Sequence, residues 1–188
     1  MSIDPKTIVR EGYDRASYAY RGDEFTLARS GYAYWLSRLE PALAPGSRVL
    51  DLGCGCGVPA TRELARRHQV TGVDISPVQI ARARRLVPNA RFQCADMAAV
   101  EFEQGSFDAA VAFFSLINLP LPEQSVVIER VSGWLVPGGR LLAIVGQEPA
   151  MHARLVTRDT DGQLSSRDLF ETIVAPLVNA PQPERFVF

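Results

Sequence analysis

The sequence is short of lysine, histidine and cysteine, and each shortage closes off a class of function. Its 20 basic residues, nearly all Arg, are matched by 21 acidic ones, so no excess positive charge draws the chain to nucleic acid or an anionic membrane. Arg66 and Arg67, and Arg82, Arg84 and Arg85, fall in helical patterns and read as solvated helix faces. Cys54 and Cys56 have no second cysteine pair, and only His68 and His152 remain as nitrogen ligands, so no metal is expected. An odd set of three cysteines carries no disulfide framework and fits a reducing, cytoplasmic setting. The longest apolar stretch, 109–116, is strand length and far below the roughly 20 residues of a membrane span. The N-terminus shows no apolar signal core.

What is present is an ordinary globular composition, 47% apolar over 188 residues, enough for one domain with a real core. Residues 1–45 read as N-terminal helices: Ile8, Val9 and Tyr13 mark one apolar face, Tyr32, Trp35, Leu36 and Leu39 another. Residues 46–146 then alternate. Strands are predicted at 48–52, 69–73, 91–94, 107–114 and 140–145. Helices are predicted at 59–68, at 77–87 with Ser76 as N-cap, and at 122–135. Such alternation predicts an α/β fold, a doubly wound and mostly parallel sheet with helices on both faces.

The first strand runs into Asp51-Leu52-Gly53-Cys54-Gly55-Cys56-Gly57, and a helix follows. Glycines there let the chain turn sharply and let a ligand touch the main chain at the sheet's carboxyl end. Asp74 closes the second strand, where a carboxylate can accept hydrogen bonds from a ribose diol. Asp96 follows the third and can accept one from an adenine amino group. A turn or cap explains any one of these aspartates; three at the ends of three successive strands point to a nucleotide.

These segments resemble the class I, seven-strand S-adenosylmethionine-dependent methyltransferases. VLDLGCGCG at 49–57 looks like the family's first motif, VTGVDIS at 70–76 its ribose motif, and FQCADM at 92–97 its adenine motif. FDAAVAFFSLINLP at 107–120 looks like its fourth strand and WLVPGGRLL at 134–142 the turn into its fifth. The Gly12-Tyr13-Asp14-Arg15 opening is similar to bacterial small-molecule methyltransferases. The resemblance implies cofactor-binding roles: Asp51 for the methionyl amino group, Gly53 and Gly55 for the loop under the cofactor, Asp74 for the ribose and Ile75 for the adenine face. It further implies Asp96 and the Met97 backbone for the adenine edge, Phe113 beneath the methionyl part, and Tyr13 as a cover from the N-terminal helix. The implied reaction moves the methyl group of S-adenosylmethionine to a small-molecule acceptor by in-line displacement. Asn118 stands where the family often has His, which removes a titratable group, and the catalytic residues stay unassigned.

A nicotinamide-dependent oxidoreductase would carry Gly-x-Gly-x-x-Gly, whereas the spacing here is Gly53-x-Gly55-x-Gly57. A non-catalytic module that keeps the cofactor pocket for regulation or assembly stays open as an alternative. The resemblance stops near Gly146, and 147–188 reads as an atypical or incomplete end. There 147–163 looks polar and irregular, 165–178 helical, and 185–188 too short for a hairpin. An uncovered fifth strand would be closed either by the tail's helix docking over that edge or by pairing between two copies, hence a possible homodimer through this segment.

Overall fold

The computed structural model describes residues 4–27, 31–147 and 150–172. Two helices lead: α1 (Pro5–Tyr20), with the Asp4 carboxylate accepting from the Lys6 amide and a proline at its first turn, and α2 (Tyr32–Leu39). The alternating core follows: β1 (Arg48–Leu52), α3 (Ala60–Leu64), β2 (Gln69–Asp74), α4 (Pro77–Leu86), β3 (Arg91–Cys94), β4 (Phe107–Ala112), α5 (Leu121–Trp134) and β5 (Leu135–Gln147). Ser76 caps α4 as expected, its hydroxyl accepting from the Gln79 amide at 3.0 Å. Strand boundaries agree with the sequence pattern within two residues, except that β5 begins five residues early. The expected helix from Pro59 is only five residues long.

The sheet order is β3-β2-β1-β4-β5-β6-β7, parallel from β3 through β5. β1 and β4 are fully covered, and Leu50, Leu52, Ala110 and Ala112 pack on one face while Val49, Ala109 and Val111 pack on the other. That is why neither strand alternates with polar residues. Burial of this order, at roughly 25 cal/mol per Å² of apolar surface, is what fixes the strand ends that carry the site. Among the described residues no helix is long and apolar enough to cross a membrane.

The C-terminal end differs from the sequence expectation. β6 (Ala150–Arg158) pairs antiparallel with β5, and β7 (Leu164–Thr172) pairs antiparallel with β6, so a hairpin completes seven strands where a loop and a helix were expected. The turn is set by Asp159, whose carboxylate accepts from the amides of Asp161 (3.0 Å) and Gln163 (2.7 Å), and by Gly162 at φ +82°. Asp161-Gly162 is a hairpin signal that the helical spacing of Leu169, Phe170 and Ile173 masks. Arg154 and Asp168 lie opposite each other and form a two-pronged ion pair at 2.7 and 3.0 Å. β5 therefore has a neighbour, and the uncovered-edge argument for a dimer no longer applies to it. The expected strand at 185–188 and the last part of the expected helix lie outside the described residues.

Candidate functional site

All nine residues singled out from the sequence line one cleft at the carboxyl end of the parallel strands. It encloses about 950 Å³ of empty space, part of it open to solvent. Its floor is the β1–α3 turn. Gly53 has φ +73°, and a Cβ there would fall 2.1 Å from Cβ of Ser115, so no other residue fits without displacing the β4 turn. The amides of Gly53 and Cys54 donate to the Val73 carbonyl at 2.7 and 3.0 Å and seat the turn on β2.

The three carboxylates sit in different surroundings. Asp51 is 2% exposed and accepts from the Thr61 hydroxyl at 2.6 Å. Burial pushes its pKa up to about 6, against the pull of that hydrogen bond. Asp74 accepts from the Gly55 amide with one oxygen and from the Ser76 amide with the other, both at 2.9 Å. Burial raises its pKa too, and the residue lines the cleft. Asp96 accepts from the Ala98 amide at 2.8 Å and from the Lys6 ammonium at 2.9 Å. Burial, with the Asp74 and Asp51 charges nearby, holds the Cys54 thiol well above its usual range, so it stays a neutral packing group.

α1 lies across the opening, and Lys6, Val9, Tyr13 and Tyr20 line the cleft from above. The Asp14 carboxylate accepts from the Ser76 hydroxyl. Farther along, the buried Arg82 guanidinium donates to the Ser17 carbonyl and hydroxyl, the Arg21 carbonyl and the Asp23 carboxylate. Tyr13 faces Asn118, and burial raises its pKa, so the phenol is neutral and can donate.

Two features escaped the sequence reading. The first is Arg21, which follows α1. One of its nitrogens donates to the Tyr32 hydroxyl (3.0 Å) and the Val58 carbonyl (3.2 Å), while the buried Nε has no partner among the described residues. Its guanidinium lies over the rings of Phe25, Tyr32 and Tyr20 at 4.6, 5.1 and 5.2 Å, and no carboxylate stands within ion-pair distance among the described residues. A lone arginine after a helix gives no periodic signal. The second is Phe114, at φ +59° in the left-handed region, a costly conformation (about 1–3 kcal/mol) typical of residues held for a purpose. The Asn118 amide donates to its carbonyl at 3.1 Å. It packs on Trp35 (4.9 Å) and Tyr32 (6.0 Å), and Trp35 stacks on Phe170 of β7. Phe113 joins the same cluster at 5.4 Å from Tyr32. His152 lies on β6 opposite Val145 and does not line the cleft.

Residues 49–139 match the family model for a methyltransferase domain. The chain is 36% identical over 130 residues to the ubiquinone biosynthesis O-methyltransferase of Xanthomonas axonopodis pv. citri, covering 65% of this chain and 52% of that protein. It is 32% identical over 160 residues to the trans-aconitate 2-methyltransferase of Methylobacterium nodulans, covering 76% and 59%. The chain spans between 32% and 60% of the length of the first curated relatives it matches. Among solved structures, magnesium protoporphyrin IX methyltransferase from Synechocystis, with S-adenosylmethionine bound, shares the fold at TM-score 0.63 and 22% identity over 78% of both chains. Residues 49–139 thus match a methyltransferase domain, and the seven-strand sheet has the class I S-adenosylmethionine-dependent methyltransferase fold.

Proposed function

We propose that the chain binds S-adenosylmethionine in this cleft and transfers its methyl group to a small-molecule acceptor. The observation that carries this reading is the convergence on one cleft of Asp51, Asp74 and Asp96 with the Arg21 guanidinium, which has no carboxylate partner among the described residues. Their chemistry fits the cofactor end to end. Asp51 meets an ammonium and Arg21 a carboxylate, the two charges of an amino acid. Asp74 meets a diol, and Asp96 with the Met97 backbone meets the adenine edge while Ile75 packs on its face. The cofactor supplies an electrophilic methyl on its sulfonium, so the protein's task is to align a nucleophile with it.

The acceptor would enter against the aromatic wall of Tyr20, Tyr32, Phe113 and Phe114, which favours an apolar or aromatic molecule. Hydroquinone-type acceptors, the kind one relative is named for, are of this class. Burial raises the pKa of Tyr13 and pushes that of Tyr32 to about 12, so both hydroxyls orient by donating and do not act as bases at neutral pH. A reducing cytoplasmic location suits the three free thiols. Calorimetry with S-adenosylhomocysteine and with NAD, followed by mass spectrometry for methylated product, tests the reading. Binding of the first ligand alone, with methylated product, is expected; NAD binding, or no response to S-adenosylhomocysteine, overturns it.

A further inference from the structure

Lys6 is the only lysine in the sequence, and it sits on the adenine end of the cleft. Its ammonium donates to Asp96 at 2.9 Å and lies 3.0 Å from a carboxylate oxygen of Glu123 on α5. The Asp96 oxygen it occupies belongs to the carboxylate read above as the acceptor for the adenine amino group. The other Asp96 oxygen is held by the Ala98 amide. We propose that Lys6 competes internally with adenine for Asp96, so that cofactor affinity is set by how the ammonium divides itself between Asp96 and Glu123. The inference rests on the adenine role given to Asp96 in the proposed function.

The way α1 is fastened supports this. Its C-terminal half is anchored by the buried Ser17 and by Arg82, whose side chain is 3% exposed. Its first two turns carry the Lys6 bridge, whose partners are about a quarter to two-fifths exposed. Between the halves lies Gly12, in a helix interior where an added Cβ would touch nothing within 4 Å. Packing therefore gives no reason for glycine, and glycine loosens a helix relative to alanine. The N-terminal half can yield to adenine while the C-terminal half stays seated. When adenine takes Asp96, Glu123 retains the ammonium, so the lysine keeps a charged partner.

Two substitutions should move affinity in opposite directions, a result that a merely structural ion pair would not give. Lys6→Met keeps the apolar stem and removes the competitor; S-adenosylhomocysteine should bind about threefold or more tighter by calorimetry. Glu123→Gln leaves the ammonium wholly to Asp96, and the same ligand should bind about threefold weaker. Salt screens the part-exposed Lys6 bridge as well as the ligand's own charged contacts, so the affinity of the unaltered protein relative to that of Lys6→Met should rise with ionic strength. Weaker or unchanged binding by Lys6→Met with a normal melting temperature overturns the competition, as does tighter binding by Glu123→Gln. If the unaltered protein fails to bind S-adenosylhomocysteine, the proposed function falls instead.

Discussion

Asp51, Asp74 and Asp96 stand at or just beyond the ends of three neighbouring strands, whereas Tyr32, Trp35, Phe114 and Phe170 build the aromatic wall from two distant elements, α2 and β7, and the turn after β4. The first wall is polar and local: each carboxylate is placed by its own strand and loop, Asp74 and Asp96 with amides of the next few residues or of the neighbouring turn as partners and Asp51 with the Thr61 hydroxyl. The second is apolar and collective. Trp35 touches Tyr32, Phe113, Phe114 and Phe170 within 6.5 Å, and no one of these segments would hold the wall alone. A polar wall built this way should tolerate change without unfolding, because each carboxylate lines the cleft and burial already penalises the charge at Asp51 and Asp74. An aromatic wall should not.

The largest effect is therefore expected from Trp35→Ala. Deleting a buried indole from a five-ring cluster costs about 3–5 kcal/mol, and chemical denaturation should show most of that loss. A change below about 1 kcal/mol would mean that the wall is not cooperative.

Next comes Arg21→Met, which removes the cation but keeps the stem. S-adenosylhomocysteine should bind roughly tenfold more weakly, since a hydrogen bond to a charged group is worth about 1.5–3 kcal/mol. 5′-Methylthioadenosine, which lacks the amino-acid end, should be nearly unaffected. Equal losses for both ligands would move Arg21 from ligand contact to scaffold.

A smaller effect follows from the Asp51 pKa of about 6, raised above the ordinary carboxylate value by burial. In the ligand-free protein a raised carboxyl pKa contributes stability that is present in acid and is lost as pH climbs through about 6. Binding of an ammonium has the opposite sign, because only the ionised carboxylate attracts it. Affinity for S-adenosylhomocysteine should therefore rise several-fold between about pH 5 and about pH 7.5 and then level off. Asp51→Asn should flatten the curve, and a flat curve in the unaltered protein would remove Asp51 from contact with the amino group.

The same contrast explains what could be read from the sequence. Asp51, Gly53, Asp74 and Asp96 lie in short segments whose spacing encodes their place, because a parallel strand delivers its last residue to one end of the sheet. Eight of the nine expected residues meet in the cleft for that reason, and Tyr13 reaches it from α1. Arg21 and Phe114 carried no such signal: one reaches the cleft by the angle at which α1 crosses it, the other by a backbone turn that only the packed cluster enforces. The hairpin was misread because Leu169, Phe170 and Ile173 fit a helical spacing. What decides for a strand is pairing with residues a dozen or more positions away, as between Arg154 and Asp168.

The most direct measurement is a calorimetric titration of S-adenosylhomocysteine into the unaltered protein and Asp74→Ala, with melting temperatures recorded alongside. Asp74 lines the place assigned to the ribose, and its loss would remove charge-assisted bonds worth about 1.5–3 kcal/mol each. The account predicts saturable binding to the unaltered protein, at least a tenfold weaker dissociation constant for Asp74→Ala, and closely similar melting temperatures. Equal dissociation constants for the two proteins would contradict it.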